Sequence, residues 1–197
     1  ATWREIPPTA PSVTGHAVGT LLWHDEFRGV AGAGPSTATW TARTCGYAAS
    51  NGGGTCHNAE EQYYLPSAVA QDGSPDGNAV ITTNRISTPP QGYTCGNSTC
   101  NFTSARFDTQ GKVAFQYGYI ETRIQMPAGG RNWPAFWMLG ANLEKVGWPE
   151  SGELDIVEAR GGDPLIVFGT AHGPGYNGSE GTQIGNTIFA TRPLSAD

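Results

Sequence analysis

The sequence predicts an all-β chain, an antiparallel β-sandwich, and three observations carry that prediction. Glycine and proline number 28 and 14 in 197 residues, about a fifth of the chain where about 12% is usual. They are scattered between short alternating segments, which is the pattern of turns between strands and not of a disordered tract. No segment keeps an apolar period of 3.6 over the roughly ten residues that a core helix needs. The length suits a single domain over residues 1–197 with a core of its own.

Composition narrows the classes of partner. Charged residues make up 14% and hydrophobic residues 38%, with 11 Lys plus Arg against 17 Asp plus Glu and a formal charge of -6. A polyanion such as nucleic acid would be repelled, and no basic stripe overrides this. No run approaches the roughly 20 apolar residues of a membrane span. A neutral substrate is the expected partner. The four cysteines, Cys45, Cys56, Cys95 and Cys100, lack any C-x2-C pair and so do not read as a zinc site. Two bonds among four cysteines allow three connectivities; nearness in sequence favours Cys45–Cys56 and Cys95–Cys100. Disulfides imply an oxidising compartment, and a chain that starts at Ala1 without Met agrees with a secreted, processed protein. N-x-[ST] sequons occur at Asn97, Asn101 and Asn177.

Along the chain, Pro7, Pro8 and Pro11 mark an extended arm, and residues 21–27 (L-L-W-H-D-E-F) read as a strand. Residues 40–43, 62–65 and 79–83 are short strand candidates, the last after the turn signal Ser74-Pro75-Asp76-Gly77. Residues 104–107 and 113–115 flank Asp108-Thr109-Gln110-Gly111 as a hairpin would. In residues 117–125, Ile120, Thr122 and Ile124 take one face while Tyr119, Glu121, Arg123 and Gln125 take the other, a half-buried strand by its period of two. Residues 136–139 are apolar, 142–146 suit one helical turn, and 152–159 and 165–171 are the last clear strands.

Chemistry concentrates in Ser151-Gly152-Glu153-Leu154-Asp155-Ile156-Val157-Glu158-Ala159. Strict alternation puts Glu153 and Asp155 on one face but turns Glu158 inward with Leu154 and Ile156. A lone carboxylate buried there would cost several kcal/mol. A β-bulge at Ile156–Val157 removes the conflict, because one extra residue returns Glu158 to the face of Glu153 and Asp155. The outer two carboxylates could then close to the roughly 5–5.5 Å at which one acts as nucleophile and the other as acid/base in a retaining glycosidase. Three crowded carboxylates cannot all ionise freely, so at least one pKa should rise, and the expectation is that a raised value keeps one glutamate protonated as general acid near neutral pH. A solvated acidic strand is the bland alternative, and three carboxylates on a weakly charged strand argue against it. Nearby, Trp133 and Trp137 lie four apart and Trp148 precedes the carboxylate strand. Indoles stack on the apolar faces of pyranose rings, although a tryptophan taken alone is more often core.

These residues resemble glycoside hydrolase family 16, and within it the bacterial laminarinase-type endo-β-1,3-glucanases. Glu153-Leu154-Asp155-Ile156-Val157-Glu158 matches the signature E-[IL]-D-x-x-E. Trp133-Pro134-Ala135-Phe136-Trp137-Met138-Leu139-Gly140 and Trp148-Pro149-Glu150-Ser151-Gly152 precede it in the family's order. Trp23 to Phe27, Glu60 to Tyr64 and Tyr117 to Arg123 are similar to weaker family segments, so the resemblance spans roughly residues 21–175. It implies a curved, concanavalin-like jelly roll with a cleft on its concave face. It also implies retaining endo-hydrolysis of β-1,3-glucan, with Glu153 as nucleophile, Glu158 as acid/base and Asp155 managing the proton of Glu153. Asn58, Arg106, Trp133, Trp137 and His172 fall on positions similar to sugar-contacting ones. No cofactor is implied for catalysis, and Glu26 resembles a ligand of a structural calcium. The bulged spacing resembles laminarinases, agarases and carrageenases more than enzymes of mixed-linkage glucan or xyloglucan, and no cluster of basic residues suggests a sulfated galactan.

Two departures from the family pattern stand out. Asn58-Ala59-Glu60 replaces the frequent Asn-Asn-Glu. The sequence also ends before the family's last strands, so the expectation is a fragment, a nicked chain whose partner supplies C-terminal strands, or a truncation. A non-catalytic β-glucan-binding protein would share fold and tryptophans but has no need of both Glu153 and Glu158. A transglycosylase would use the same glutamates.

Overall fold

The computed structural model describes residues 19–44, 60–88, 95, 100–178 and 184–196. The chain divides into two compact units, residues 1–124 and 125–197. The first carries seven short strands among the described residues: β1 (Thr41–Ala42), β2 (Gln62–Tyr64), β3 (Val69–Gln71), β4 (Ala79–Ile81), β5 (Asn84–Arg85), β6 (Phe102–Ser104) and β7 (Phe107–Asp108). They pair as β1–β7, β3–β4 and β2–β6–β5. The β2–β6 pair is parallel, a correction to the wholly antiparallel sandwich expected. It is feasible because a long crossover separates the two strands, as parallel pairing requires.

The first unit is organised around aromatic rings. Phe27, Trp40, Ala68, Val69, Ala79 and Ala105 form its buried core, with Trp23 and Phe107 against it. Trp40 meets Phe107 edge-on at 4.9 Å and Trp23 at 5.7 Å, the geometry that ring quadrupoles favour. A bidentate pair of Arg43 with Asp108, at 2.7 and 2.6 Å, ties β1 to β7.

Residues 21–27 do not form the expected strand. Asp25 Oδ1 accepts the backbone N–H of Phe27 at 2.9 Å and Asp25 Oδ2 accepts Trp40 Nε1–H at 2.7 Å. Phe27 then takes φ 50, so the chain turns locally and gives up a ladder. The turn is held tight by Gly77, where a Cβ would lie 1.8 Å from the Glu26 carbonyl oxygen. Residues 113–115 are not a hairpin arm either. Lys112 and Val113 donate their N–H groups back to Thr109 O, at 2.9 and 3.0 Å, and Phe115 reaches the Trp23 ring at 6.0 Å. The run 117–125 keeps the predicted alternation, with positions 120, 122 and 124 half-buried and 119, 121, 123 and 125 exposed. It pairs with no strand among the described residues, because side-chain period reports burial and not ladder partners.

The second unit carries a four-stranded antiparallel sheet in the order β11-β10-β9-β8, built from β8 (Ala135–Leu139), β9 (Glu153–Ala159), β10 (Ile166–His172) and β11 (Ile184–Phe189). The expected helical turn is α1 (Leu143–Val146), between β8 and β9. Strand β11 carries no composition cue that sequence reading used, and all six of its residues are exposed. The disulfide Cys95–Cys100 is formed and both cysteines are buried beside Tyr63. Cys45 and Cys56 lie outside the described residues. Of the sequons, Asn177 is buried at 8% exposure, Asn101 is exposed, and Asn97 lies outside the described residues.

Candidate active site

Strand β9 positions the site through one irregularity. On β8, Phe136 pairs with Val157 and Trp137 with Asp155; on β10, Phe168 pairs with Glu158 and Thr170 with Asp155. Residues 156 and 157 therefore stand where each neighbour offers a single step, which is a bulge at the place the alternation conflict demanded. Cross-strand partners share a face. One face of the sheet accordingly carries Leu139, Glu153 and His172, then Trp137, Asp155 and Thr170, then Ala135, Glu158 and Phe168. The other face carries Met138, Leu154, Ala171 and Ile184, with Leu154 at 53% and Ile184 at 64% exposure.

Each glutamate has its own indole donor. Trp148 Nε1–H donates to Glu153 Oε2 at 2.7 Å, and Trp133 Nε1–H donates to Glu158 Oε1 at 2.7 Å. Bonds from an indole to a carboxylate are charge-assisted and fix the orientation of the acceptor. Between them Asp155 is buried, 7% exposed, with Oδ2 3.0 Å from His172 Nε2. Burial, followed by the charges of Glu153 and Glu158, pushes the Asp155 carboxyl up to about 6 against the opposing influence of His172. The pKa rise expected of the carboxylate row thus falls on its middle member, the most enclosed one. The Trp148 ring lies 6.2 Å from the His172 ring at a tilt of 52°. The Trp148–Pro149 peptide preceding β9 is cis.

The structure brings Glu153, Asp155, Glu158, Trp133, Trp137 and His172 to one face of one sheet. Trp133 is 59% exposed and Trp137 stands opposite Asp155. His172, expected at the sugar, has Nε2 on Asp155. Arg106 is half-buried in the first unit, between β6 and β7, where its carbonyl accepts the Arg43 N–H at 2.8 Å. Asn58 lies outside the described residues. Sequence reading gave Trp148 no contact, although a Trp-Pro ahead of a carboxylate strand was the available cue. It passed over Arg160 and Phe168 altogether.

Glu26 belongs to the first unit. It is buried at 8% exposure, with Oε1 3.2 Å from His24 Nδ1 and Oε2 buried without a hydrogen-bond partner. Among the described residues no three His, Cys, Asp or Glu side chains gather as a metal site, and no helix is long and apolar enough to cross a membrane.

Comparison with known proteins agrees with this geometry. A family profile described as the XgeA-like catalytic GH16 domain matches residues 80–164. A glucan endo-1,3-beta-glucosidase of Cryptopygus antarcticus is 37% identical over 171 residues, 85% of this chain and 57% of that protein. A beta-1,3-glucan-binding protein of Penaeus monodon is 48% identical over 71 residues, 36% of this chain and 19% of that protein. Among solved structures, the catalytic domain of an endo-1,3-beta-glucanase (laminarinase) from Thermotoga petrophila superposes with TM-score 0.74 at 34% identity, over 90% of this chain and 66% of that one. SCLam, a non-specific endo-beta-1,3(4)-glucanase of family GH16, superposes with TM-score 0.72 at 30% identity, over 98% of this chain and 69% of that one. The chain spans 23% to 57% of the curated glucanases it matches. Its fold class is the β-sandwich that these laminarinases share. The chain belongs to glycoside hydrolase family 16.

Proposed function

We propose that this chain carries the catalytic strand of a retaining endo-β-1,3-glucanase. The observation that supports it most is the bulged β9, which sets Glu153, Asp155 and Glu158 on one face with an indole N–H on each glutamate. Trp148 engages Oε2 of Glu153, which leaves Oε1 to attack the anomeric carbon. Glu158 protonates the departing glycosidic oxygen, and a glycosyl ester forms on Glu153. Glu158 then takes a proton from water, which attacks the same carbon and releases product with its configuration retained. Asp155 lies between the two and holds or passes a proton near pH 6 as the charge on Glu153 changes. Trp137 and the exposed ring of Trp133 offer faces to pyranose rings, and Arg106 and Asn58 remain proposed sugar contacts.

The substrate reading is a linear or lightly branched β-1,3-glucan such as laminarin. Endo-action predicts that the viscosity of a long β-1,3-glucan falls well before reducing ends accumulate, and that Glu153→Ala removes both signals. Binding of the glucan by folded wild-type protein without any new reducing ends would support the binding-protein reading, to which the resemblance to the Penaeus monodon protein points. Sugar acceptors intercepting the glycosyl ester in preference to water would indicate a transglycosylase.

Secretion into an oxidising compartment is part of the same reading, supported by the Cys95–Cys100 disulfide. Calcium at Glu26 is a further part. The orphaned Oε2 is a hard oxygen donor, and backbone carbonyls and water would have to complete the ligand set. The ion would act on stability alone. Calcium is expected to raise the Tm of wild type and not of Glu26→Gln, with a chelator reversing the gain; an identical response in both proteins would remove Glu26 from that role.

A further inference from the structure

Arg160 follows β9 directly, one residue past the buried Ala159. Its guanidinium carbon lies 5.3 Å from the centroid of the Trp133 ring and 4.7 Å from that of Phe168. Both lie within the roughly 6 Å over which a cation is drawn to a ring face. Phe168 is the cross-strand partner of Glu158 on β10, and Trp133 is the residue whose Nε1–H holds Glu158 Oε1. The four side chains thus form a closed group: Phe168 beside Glu158 on the sheet, Arg160 against Phe168, Trp133 against Arg160, and Glu158 on Trp133.

The backbone fixes this group from outside. Ala159 N–H donates to Pro134 O at 3.1 Å and Gly161 N–H donates to Asn132 O at 3.0 Å, so the residues either side of Arg160 are tied to those either side of Trp133. The strap is close, since a Cβ on Gly161 would lie 1.8 Å from Gly129 O. Among the described residues the Trp133 ring makes one hydrogen bond, to Glu158, is 59% exposed and belongs to neither buried cluster of the first unit. A planar guanidinium stacks on rings in a way an ammonium does not, which makes Arg160 the group suited to keep that indole in place.

We propose that Arg160 is a positioning residue for Glu158, acting through Trp133. It restricts the indole so that Nε1–H remains on Oε1 of Glu158, leaving Oε2 as the oxygen that carries the transferred proton. The inference rests on the acid/base role proposed for Glu158, but its geometric core does not require turnover. The Trp133 indole should be as well ordered in the absence of substrate as in its presence.

The test uses indole-¹⁵N-labelled protein of the full chain, with the Trp133 Nε1–H signal assigned by its loss in Trp133→Phe. In Arg160→Met this signal should move to the position of a solvated indole, and its exchange with water should quicken about tenfold or more as the hydrogen bond to Glu158 loosens. The other tryptophan signals should stay in place, which reports an intact fold. Phe168→Leu should shift the same signal in the same direction, and Arg160→Lys should fall between wild type and Arg160→Met. In kcat/KM, which reports formation of the glycosyl ester, Arg160→Met should lose about tenfold on laminarin and less than about twofold on a dinitrophenyl laminarioligosaccharide, whose leaving group needs no proton. An unmoved Trp133 signal in both Arg160→Met and Phe168→Leu overturns the brace, as does equal loss on the two substrates. A signal that shifts in Arg160→Met and Phe168→Leu, when wild-type protein itself cleaves neither substrate, would leave the brace standing and defeat the glucanase reading instead.

Discussion

The two ends of β9 solve the same problem with different means. At the start of the strand, Glu153 receives the Trp148 indole, and that indole lies near His172, whose Nε2 contacts Asp155. At the far end, Glu158 receives the Trp133 indole, and that indole lies on a guanidinium shared with Phe168. The Glu153 end is thus backed by titratable groups and the Glu158 end by a fixed cation between rings. A nucleophile whose charge is consumed and restored benefits from a neighbouring proton store. An acid/base benefits from being held still while its proton moves.

That contrast breaks most sharply on removal of the carboxylates themselves. Glu153→Ala should lose on the order of 10⁴ in kcat on any substrate, with azide restoring turnover and yielding the α-glycosyl azide. Glu158→Ala should lose about 10²–10⁴ in kcat/KM on laminarin but much less in kcat/KM on a dinitrophenyl glycoside, with azide yielding the β-product. Matching anomers from the two variants would show that the roles are wrongly divided. Next come the indoles. Trp148→Phe keeps the ring and deletes the donor to Glu153, and kcat on laminarin should fall about tenfold with little change in KM, as for an interaction realised at the reacting group. A rise in KM alone would make Trp148 a sugar platform.

The smallest effect concerns the proton store. The folded-state pKa of Asp155 is raised from 3.8 to about 6, so between these values the native state binds more protons than the unfolded chain, and stability falls as pH rises through that window. Asp155→Asn, which cannot ionise, should therefore gain on wild type between pH 4 and pH 7 by on the order of 1 kcal/mol after solvent screening. Denaturant midpoints at the two pH values measure this directly. A difference that stays constant with pH would mean that Asp155 is ionised throughout.

Much of the site was legible because β9 contains a contradiction. Alternation that buries Glu158 is untenable, and the bulge at residues 156–157 is its resolution. Trp133 and Trp137 were legible as aromatics near carboxylates. What each ring touches was not, since the contact of Trp133 with Glu158 spans 25 residues and depends on a register that only the sheet defines. His172 was placed at the sugar by the family resemblance alone, and its contact with Asp155 across the ladder has no cue in its sequence neighbourhood. The first unit was less legible for a related reason. The segment 21–27 has strand composition, yet the Asp25 carboxylate turns it by bonding Phe27 and Trp40. Period also misled at 117–125, where burial alternates without a ladder, and β2–β6 pairs in parallel across a separation no local pattern encodes.

The most direct measurement follows the anomeric proton of the first-formed product by NMR as wild-type protein digests laminarin. Appearance of the β-anomer before mutarotation, with Glu153→Ala silent until azide is added, is what two glutamates serving as nucleophile and acid/base on one strand require. Immediate release of the α-anomer would contradict the account, because it demands a water between the carboxylates and leaves no covalent role for Glu153.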